Sequence, residues 1–589
     1  MKRFFVTLLA VIIGGIILSI LPMIILFSIA GAMSSDKDNV EVKDNTVLVM
    51  NLSSSIQDRD VSDPSSLIQN MISGNSAGIG LNDIKSTLKK AKTDDRIKGL
   101  ILKGAQTNAS INTVKEVHDA IADFKTSGKF VYFYDSSIAQ SSLLAAAKAD
   151  GIYVNPAGDV DVHGVSVLIQ FYKGLIDKLG LNVEIIRHGQ FKSAVEPFML
   201  NKMSDASRLQ TQRYIDVIWQ NVRDSIAAGR NIAAADVDEY VNKLMSSDIN
   251  NALAVGLVDS LCYEDEFIAK MKAITNTPED QELNTVDFGN YIKVFSPNEE
   301  LNFSTNKVAV IYAVGEISDG SNKSDKANIY GDDLANTIRE ARKDDDVKAI
   351  VMRVNSPGGS ALASEVIWRE VSLAASEKPF IVSMGDYAAS GGYYISCAAD
   401  SIFAEPTTIT GSIGVFGILP VVGPALEKFG VNTEKVQSNK YSQIDGFSPI
   451  SDMQRDAIQR SVENVYATFT RRCANGRKTT VEHIDSIGQG RVWAGEDAIN
   501  IGLVDKLGSL DDAIRCAANA ADIADDYIVE ELPSIDESFG FFVRQFSKNA
   551  ETFVGKSMFG DTYGLVKRYE TLTKQKSIQA RMEYTFMEY

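Results

Sequence analysis

The feature that most constrains the fold of this 589-residue chain is an internal repeat. The stretch DDRIKGLILKG, which begins at residue 94, matches DDDVKAIVMRV, which begins at residue 344. This offset of 250 residues holds without a gap for about a hundred residues, and VGLVDSL (255–261) is echoed by IGLVDKL (501–507) after a small insertion. Self-similarity on this scale predicts two copies of one domain, which we place at residues 46–300 and 305–535.

Each copy alternates apolar β-branched runs with amphipathic segments. In the second copy KVAVIYA, VKAIVMRV and PFIVSMG are typical of buried strands, whereas ALASEVIWREVSLAASE has apolar residues at helical spacing. Alternating strands and helices predict an α/β layered domain with a largely parallel sheet. Neither copy carries GxGxxG after its first strand or GxxxxGK[ST], so no motif supports nucleotide binding.

The N-terminus predicts a membrane anchor. No charged residue occurs from Phe4 to Ala32, a run longer than the roughly 20 residues that span the hydrocarbon of a bilayer. Lys2 and Arg3 precede this run and favour a cytoplasmic N-terminus. A cleaved signal peptide is the alternative, but its apolar region normally runs only about 7–15 residues. We predict an uncleaved single-pass anchor with a short stalk over residues 1–45, in the bacterial inner membrane with both domains on the periplasmic side.

Charge and residue usage exclude several classes of function. A net charge of -18 argues against a general nucleic-acid binder, which needs a basic surface to replace phosphate counterions. The four histidines form no HExxH pattern, and the four cysteines form no CxxC pair. We therefore expect no nucleic-acid partner, no metal and no cofactor.

One hydroxyl stands out as a candidate nucleophile. In GDYAASGGYY (385–394), Ser390 lies where a predicted strand ends and a helix begins. The N–H groups at a helix start have no intrahelical partner, so a serine here could attack a carbonyl while the N–H of Gly391 holds the oxyanion. NSPGGS (355–360) offers a second donor, Gly359, with Gly358 as the alternative. Small residues also occur wherever a helix packs closely, so the pattern alone leaves Ser390 open.

Four motifs carry a family resemblance. VNSPGGS, YAASGGYYIS and TGSIGVFG, together with FKSAVEPF (191–198), resemble the signal peptide peptidase A family of membrane-bound serine peptidases in its long, tandem-repeat form. The resemblance extends more distantly to the ClpP/crotonase fold, which implies two tandem ClpP/crotonase-like repeats. It also implies a Ser/Lys dyad, with Ser390 as nucleophile and Lys192 as general base. Ser412, in TGSIG, matches a family serine that hydrogen-bonds the lysine; an N-cap or turn serine is the alternative.

The internal repeat supports this pairing. At the offset of 250 residues, Ser390 corresponds to Gln140 and Lys192 corresponds to Ser442, so each copy holds half of the dyad. A working site then needs both copies, and the complementary pair of Gln140 with Ser442 is predicted to be inactive. A lysine base must be neutral, which requires its pKa to fall from about 10.4 to roughly 7–8 through burial. The rival bases in the first copy are His163 and His188.

The resemblance implies a function and an assembly. The expected activity is that of a membrane-anchored serine endopeptidase that degrades released signal peptides and other unfolded peptides through an acyl-enzyme. The expected assembly is a homotetramer, and the sequence leaves open whether the dyad forms within one chain or between chains. Residues 536–589 read as a C-terminal extension that contacts either other protein surfaces or the membrane. A catalytically silent scaffold and an acyl-CoA enzyme of the same fold are the competing functions.

Overall fold

A computed structural model describes residues 41–59, 78–295, 302–322, 327–442, 444–533 and 578–581. The predicted anchor segment lies outside these residues, as does most of the predicted extension 536–589. Across the described ranges, no helix is both long enough and apolar enough to span a bilayer.

The first copy is built on a six-stranded parallel sheet. In spatial order its strands are Ser260–Leu261, Gly151–Val154, Phe130–Asp135, Ile97–Lys103, Thr46–Asn51 and Thr285–Asp287. Its α-helices are Leu81–Thr93, Ile111–Lys125, Gln140–Ala146, Lys173–Leu179, Glu196–Met199, Asp205–Arg230, Ala234–Asn242, Ile249–Val255, Glu264–Ile274 and Phe288–Ile292. Strand residues such as Leu100, Val131 and Ile152 are fully buried, because helices cover the sheet.

The second copy is built on an eight-stranded sheet. Its main path runs Val492–Ala494, Ile409–Gly411, Phe380–Ala389, Val347–Ser356, Lys307–Val314 and Ile528–Leu532, with Ser401–Ala404 and Lys506–Leu507 branching from Phe380–Ala389. Every pairing is parallel except that of Val492–Ala494. The α-helices are Gly331–Lys343, Ala361–Ala375, Gly391–Ser396, Gly423–Lys428, Asp452–Gly476, Val481–Ile487, Gly495–Ala498 and Leu510–Ala520.

Central helices of the two copies occupy equivalent positions in the sequence. The helices Leu81–Thr93 and Gly331–Lys343 begin and end 250 residues apart, as do Ile111–Lys125 and Ala361–Ala375. The repeated α/β architecture predicted from the sequence is thereby confirmed.

A third sheet joins the copies. Its strands, in spatial order, are Asn328–Tyr330, Glu316–Ser318, Gly358–Ser360, Ile578–Arg581, Val415–Val421 and Asn182–His188. The last of these belongs to the first copy, and it pairs antiparallel with Val415–Val421 of the second copy along its whole length. We call Asn182–His188 the crossing strand, because it carries the chain of the first copy onto the second.

A buried ion network also links the copies. The guanidinium of Arg353, in the second copy, is 1% exposed and donates to Asp58 Oδ1 at 2.8 Å and to Glu116 Oε1 at 2.9 Å, both in the first copy. Breaking such a buried network by removing one partner typically costs about 3–5 kcal/mol, because a buried charge is left uncompensated. The network therefore fixes how the two sheets face each other.

Candidate active site

Ser390 lies at the end of the central strand Phe380–Ala389 and directly before the helix Gly391–Ser396. Its backbone has φ 55° and ψ -112°, a conformation that a non-glycine residue adopts at a cost of order 1–3 kcal/mol. Two hydrogen bonds hold this turn: Ser390 N–H donates to the carbonyl of Gly411 at 2.8 Å, and Tyr394 N–H donates to the carbonyl of Ser390 at 2.8 Å. The strained turn gives the hydroxyl of Ser390 one defined direction in the interior.

That hydroxyl meets the amine of Lys192. Lys192 Nζ lies 2.8 Å from Ser390 Oγ, 3.0 Å from Ser412 Oγ and 3.1 Å from the carbonyl oxygen of Ser412. Both partners of the short contact belong to one chain, and the lysine side chain is 1% exposed. The structure thus brings together the three residues that the resemblance selects, within the chain.

Burial decides the protonation state of this amine. Removal from water disfavours the charged form, and it lowers the pKa of Lys192 from 10.5 to about 7. The ring of Phe416 covers the amine, with its centroid 5.9 Å from Nζ. This shift brings the neutral form of the amine within reach near neutral pH, and a neutral amine can accept the proton of a serine hydroxyl.

Close backbone packing positions the lysine. Gly490 has φ 80°, and a Cβ at this position would lie 2.6 Å from Lys192 Cβ, so only glycine fits against the lysine backbone. A Cβ at Gly414 would lie 2.7 Å from the Cα of Gly490 and 3.1 Å from Lys192 Cδ. Gly414 lies inside the motif TGSIGVFG, whereas no motif in the sequence marks Gly490.

Gln210 supports the same turn from the long helix Asp205–Arg230. Its Nε2 donates to the carbonyl of Phe191 at 3.2 Å and to Ser193 Oγ at 2.9 Å, and its Oε1 accepts from Val492 N–H at 3.1 Å. It therefore clamps the residues on both sides of Lys192 to the second copy. No sequence signal marks Gln210, since a buried amide in an amphipathic helix has no pattern of its own.

The two glycine loops pack against each other, since a Cβ at Gly392 would lie 2.6 Å from the carbonyl oxygen of Ser356. Gly359 has φ 157°, and a Cβ there would lie 2.0 Å from the carbonyl oxygen of Ile317, so the strand Gly358–Ser360 requires glycine. Gly358 N–H donates to Ser356 Oγ at 3.2 Å, which favours Gly359 over Gly358 as the second oxyanion donor. Gly391 is the first residue of the helix that follows Ser390, where N–H groups have no intrahelical acceptor.

Gln140 and Ser442, the repeat-related counterparts of Ser390 and Lys192, make other contacts. Gln140 Oε1 accepts from Gly164 N–H at 2.9 Å, and its Nε2 donates to the carbonyl of Gly164 at 3.2 Å. Ser442 lies on an exposed segment and donates to the carbonyl of Asn439 at 2.7 Å. Neither residue of the predicted inactive pair is arranged as a nucleophile or as a base.

The rival histidine bases also point elsewhere. His163 Nδ1 lies 3.3 Å from Asp161 Oδ1 on the surface of the first copy. His188 Nδ1 lies 2.6 Å from Glu463 Oε2, and its ring stacks on Tyr466 with centroids 3.7 Å apart. Of the three candidate bases, Lys192 is the one in contact with Ser390 Oγ. In the part of the chain that the structure describes, no group of histidine, cysteine and acidic residues is arranged to hold a metal ion.

A serine at a strained strand-to-helix turn, on an α/β repeat and next to a buried amine, defines a serine hydrolase site. Comparison with known proteins identifies which serine hydrolases this chain resembles.

The model of "Peptidase family S49" matches residues 123–277 and 372–524, and the chain belongs to this family of serine proteases. It is 36% identical over 459 residues to "Protease 4" of Haemophilus influenzae, a match that covers 76% of this chain and 74% of that protein. It is 30% identical over 548 residues to "Serine protease SPPA, chloroplastic" of Arabidopsis thaliana, covering 92% and 78% of the two chains.

Solved structures match over shorter stretches. A point mutant of ClpP1 from Listeria monocytogenes aligns at 14% sequence identity and a TM-score of 0.23, covering 36% of this chain and 95% of that one.

Proposed function

We propose that this chain is a membrane-anchored serine endopeptidase whose Ser390/Lys192 dyad hydrolyses released signal peptides and other unfolded peptides. One observation carries the proposal: the buried amine of Lys192 lies 2.8 Å from Ser390 Oγ. The burial that lowers its pKa to about 7 leaves the amine ready to accept a proton. The anchor rests on the uncharged run from Phe4 to Ala32, with the catalytic copies on the periplasmic side of a bacterial inner membrane.

The reaction follows from the positions of these groups. Neutral Lys192 takes the proton of Ser390 Oγ as this oxygen attacks the carbonyl carbon of the substrate. The oxyanion then accepts hydrogen bonds from the N–H groups of Gly391 and Gly359. The resulting ammonium of Lys192 returns its proton to the leaving amine, and a water molecule hydrolyses the ester by the same steps. Ser412 accepts from the amine and holds it in line with the nucleophile throughout.

Labelling with a fluorophosphonate tests the proposal. We expect the reagent to modify one serine in the wild-type chain, and peptide mapping by mass spectrometry to identify that serine as Ser390. The Ser390→Ala variant should remain unlabelled, whereas the matched control Ser396→Ala, which alters another buried serine six residues on, should still label. Labelling that persists in Ser390→Ala would contradict the assignment of the nucleophile.

We also propose that the chain assembles head to tail into a homotetramer. The interface between chains would repeat the strand pairing that joins the two copies within one chain. The crossing strand Asn182–His188 pairs with Val415–Val421. By the repeat, the counterpart segments are 432–438 and 165–171. Residues 432–438 are exposed, with Val436 97% exposed, and residues 165–171 alternate half-buried with exposed positions, with Leu168 72% exposed. Residues 165–171 of one chain can therefore pair with residues 432–438 of the next, in the same way as the crossing strand pairs with Val415–Val421 within a chain.

A disulfide trap tests this interface. The internal pair Ile418–Ile185 corresponds to Leu168 of one chain opposite Lys435 of the next. Directly opposite residues of antiparallel strands have Cα atoms about 4.5–5.5 Å apart, which suits a disulfide. The partly exposed cysteines are first removed by Cys262→Ser and Cys516→Ser. In this background we expect the oxidised variant Leu168→Cys/Lys435→Cys to give cross-linked species of up to four chains on a non-reducing denaturing gel. The off-register control Leu168→Cys/Val436→Cys should run mainly as single chains on the same gel, because its two cysteines are not opposite each other. Equal cross-linking of both pairs would contradict the proposed register.

A further inference from the structure

The strand Ile578–Arg581, which we call the tail strand, lies inside the third sheet. It pairs antiparallel with Gly358–Ser360 on one side, where Ala580 is opposite Gly359 and Arg581 is opposite Gly358. On the other side it pairs antiparallel with Val415–Val421, where Gln579 is opposite Phe416. The C-terminal region of the chain thus supplies an inner strand of this sheet, between two strands of the second copy.

The two neighbours of the tail strand are the walls of the active site. Gly358–Ser360 contains Gly359, the proposed oxyanion donor. Val415–Val421 begins three residues after Ser412, whose hydroxyl contacts the amine of Lys192. A backbone that runs between these walls passes the reacting groups, and an extended peptide binds most simply by adding a strand to such edges.

Only one strand fits in this space. Neighbouring strands in a sheet lie about 4.8 Å apart, so walls that both bond to one strand are about 10 Å apart. A substrate peptide that pairs with Gly358–Ser360 must therefore replace the tail strand. Occupation by the tail and occupation by substrate exclude each other.

We infer that the C-terminal segment is an intramolecular competitor that occupies the substrate groove of its own chain. This inference rests on the proposed function, because it takes the groove to be the place where substrate binds. Tethering gives the segment a high effective concentration at the groove, so a sequence of modest intrinsic affinity is enough to fill it. Substrate binds to the fraction of chains in which the tail has left, and the apparent KM is raised by that competition.

Removal of the tail strand tests the competition. In a chain that ends at residue 577, we expect kcat/KM for a short fluorogenic peptide to rise about tenfold. The rise should come from a lower KM, with kcat unchanged. Ala580→Pro keeps the length of the chain but removes an N–H group from the paired strand, and it should produce a similar rise. Ala580→Ser keeps the N–H group and should stay within about twofold of wild type. An unchanged kcat/KM in the truncated chain would overturn the inference.

A binding experiment separates this inference from the proposed function. A fluorescent peptide with the sequence SIQARMEY (577–584) should bind the truncated chain carrying Ser390→Ala, and should bind the full-length Ser390→Ala chain at least about tenfold more weakly. Equal affinity for both chains would overturn the competition whether or not the wild type hydrolyses peptides. Failure of wild type and truncated chain alike to hydrolyse peptides, with the difference in binding intact, would instead overturn the proposed function.

Discussion

Replacement of Lys192 by methionine should lower kcat/KM for peptide hydrolysis by about 10³-fold or more. Methionine fills the space of the lysine side chain as far as Cε, next to Phe416 and Gly414, but it has no amine to accept the proton of Ser390 Oγ. General-base catalysis alone contributes about 10²–10⁴-fold, and loss of the base also leaves the leaving amine without a proton donor. Initial rates on an unfolded peptide at pH 8 measure the effect, with circular dichroism to show that the variant is folded.

The pH profile provides a second readout of the same group. Because the neutral amine is the active form, kcat/KM of the wild type should rise about tenfold per pH unit below pH 7 and level off above it. The control Lys202→Met, at an exposed lysine ten residues away, should keep both the rate and the profile. A Lys192→Met variant within tenfold of wild-type activity would refute the role of this lysine as the base.

The fold was more accessible from the sequence than the site. Repeated apolar runs predict the strands, and an offset of 250 residues places equivalent helices such as Ile111–Lys125 and Ala361–Ala375, because burial against a sheet imposes a pattern on the residues themselves. Lys192 has no such pattern, since it lies in a turn whose position depends on the crossing strand. Lys192 could be predicted as the base only because FKSAVEPF resembles a family motif and because each copy lacks one member of the dyad.

Details that depend on three-dimensional contact stayed out of reach. The sequence predicted Gly359 as the second oxyanion donor and left Gly358 as the alternative; the reason to prefer Gly359 is the hydrogen bond from Gly358 N–H to Ser356 Oγ. It also gave no indication of Gly490, whose requirement for glycine arises from the backbone of Lys192, which lies far away in the sequence. Long-range packing of this kind leaves no periodic signal in a single sequence.

The division of the dyad has a consequence for folding. Ser390 and Lys192 come from different copies, and the crossing strand and the Arg353 network are contacts that hold these copies together. A single copy, or a chain with the copies unpaired, therefore has no complete site. In the proposed mechanism, a chain whose two copies have not docked therefore lacks peptidase activity.

The same lysine should weaken the fold that it serves. A pKa of about 7 in the folded chain, against 10.5 for an exposed amine, corresponds to about 5 kcal/mol of destabilisation at neutral pH. Methionine at position 192 removes this destabilisation. It also leaves the polar atoms of Ser390 and Ser412 without the amine as a hydrogen-bond partner, which offsets about 1–3 kcal/mol of the gain. We expect Lys192→Met to raise the free energy of unfolding at pH 7 by about 2 kcal/mol or more.

The dependence on pH identifies the cause of this stabilisation. Between pH 7 and 10.5 the unfolded chain binds a proton at Lys192 that the folded chain does not, so the stability of the wild type rises with pH in this window by up to about 1.4 kcal/mol per unit. The advantage of Lys192→Met should therefore be greatest at and below pH 7 and should shrink or vanish near pH 10. Urea unfolding of both chains at pH 7 and pH 9.5 measures the difference, with Lys98→Met at an exposed lysine as the control that changes little at either pH. A variant less stable than wild type at pH 7, or an advantage that does not change with pH, would show that the buried amine is not held neutral at a cost to the fold.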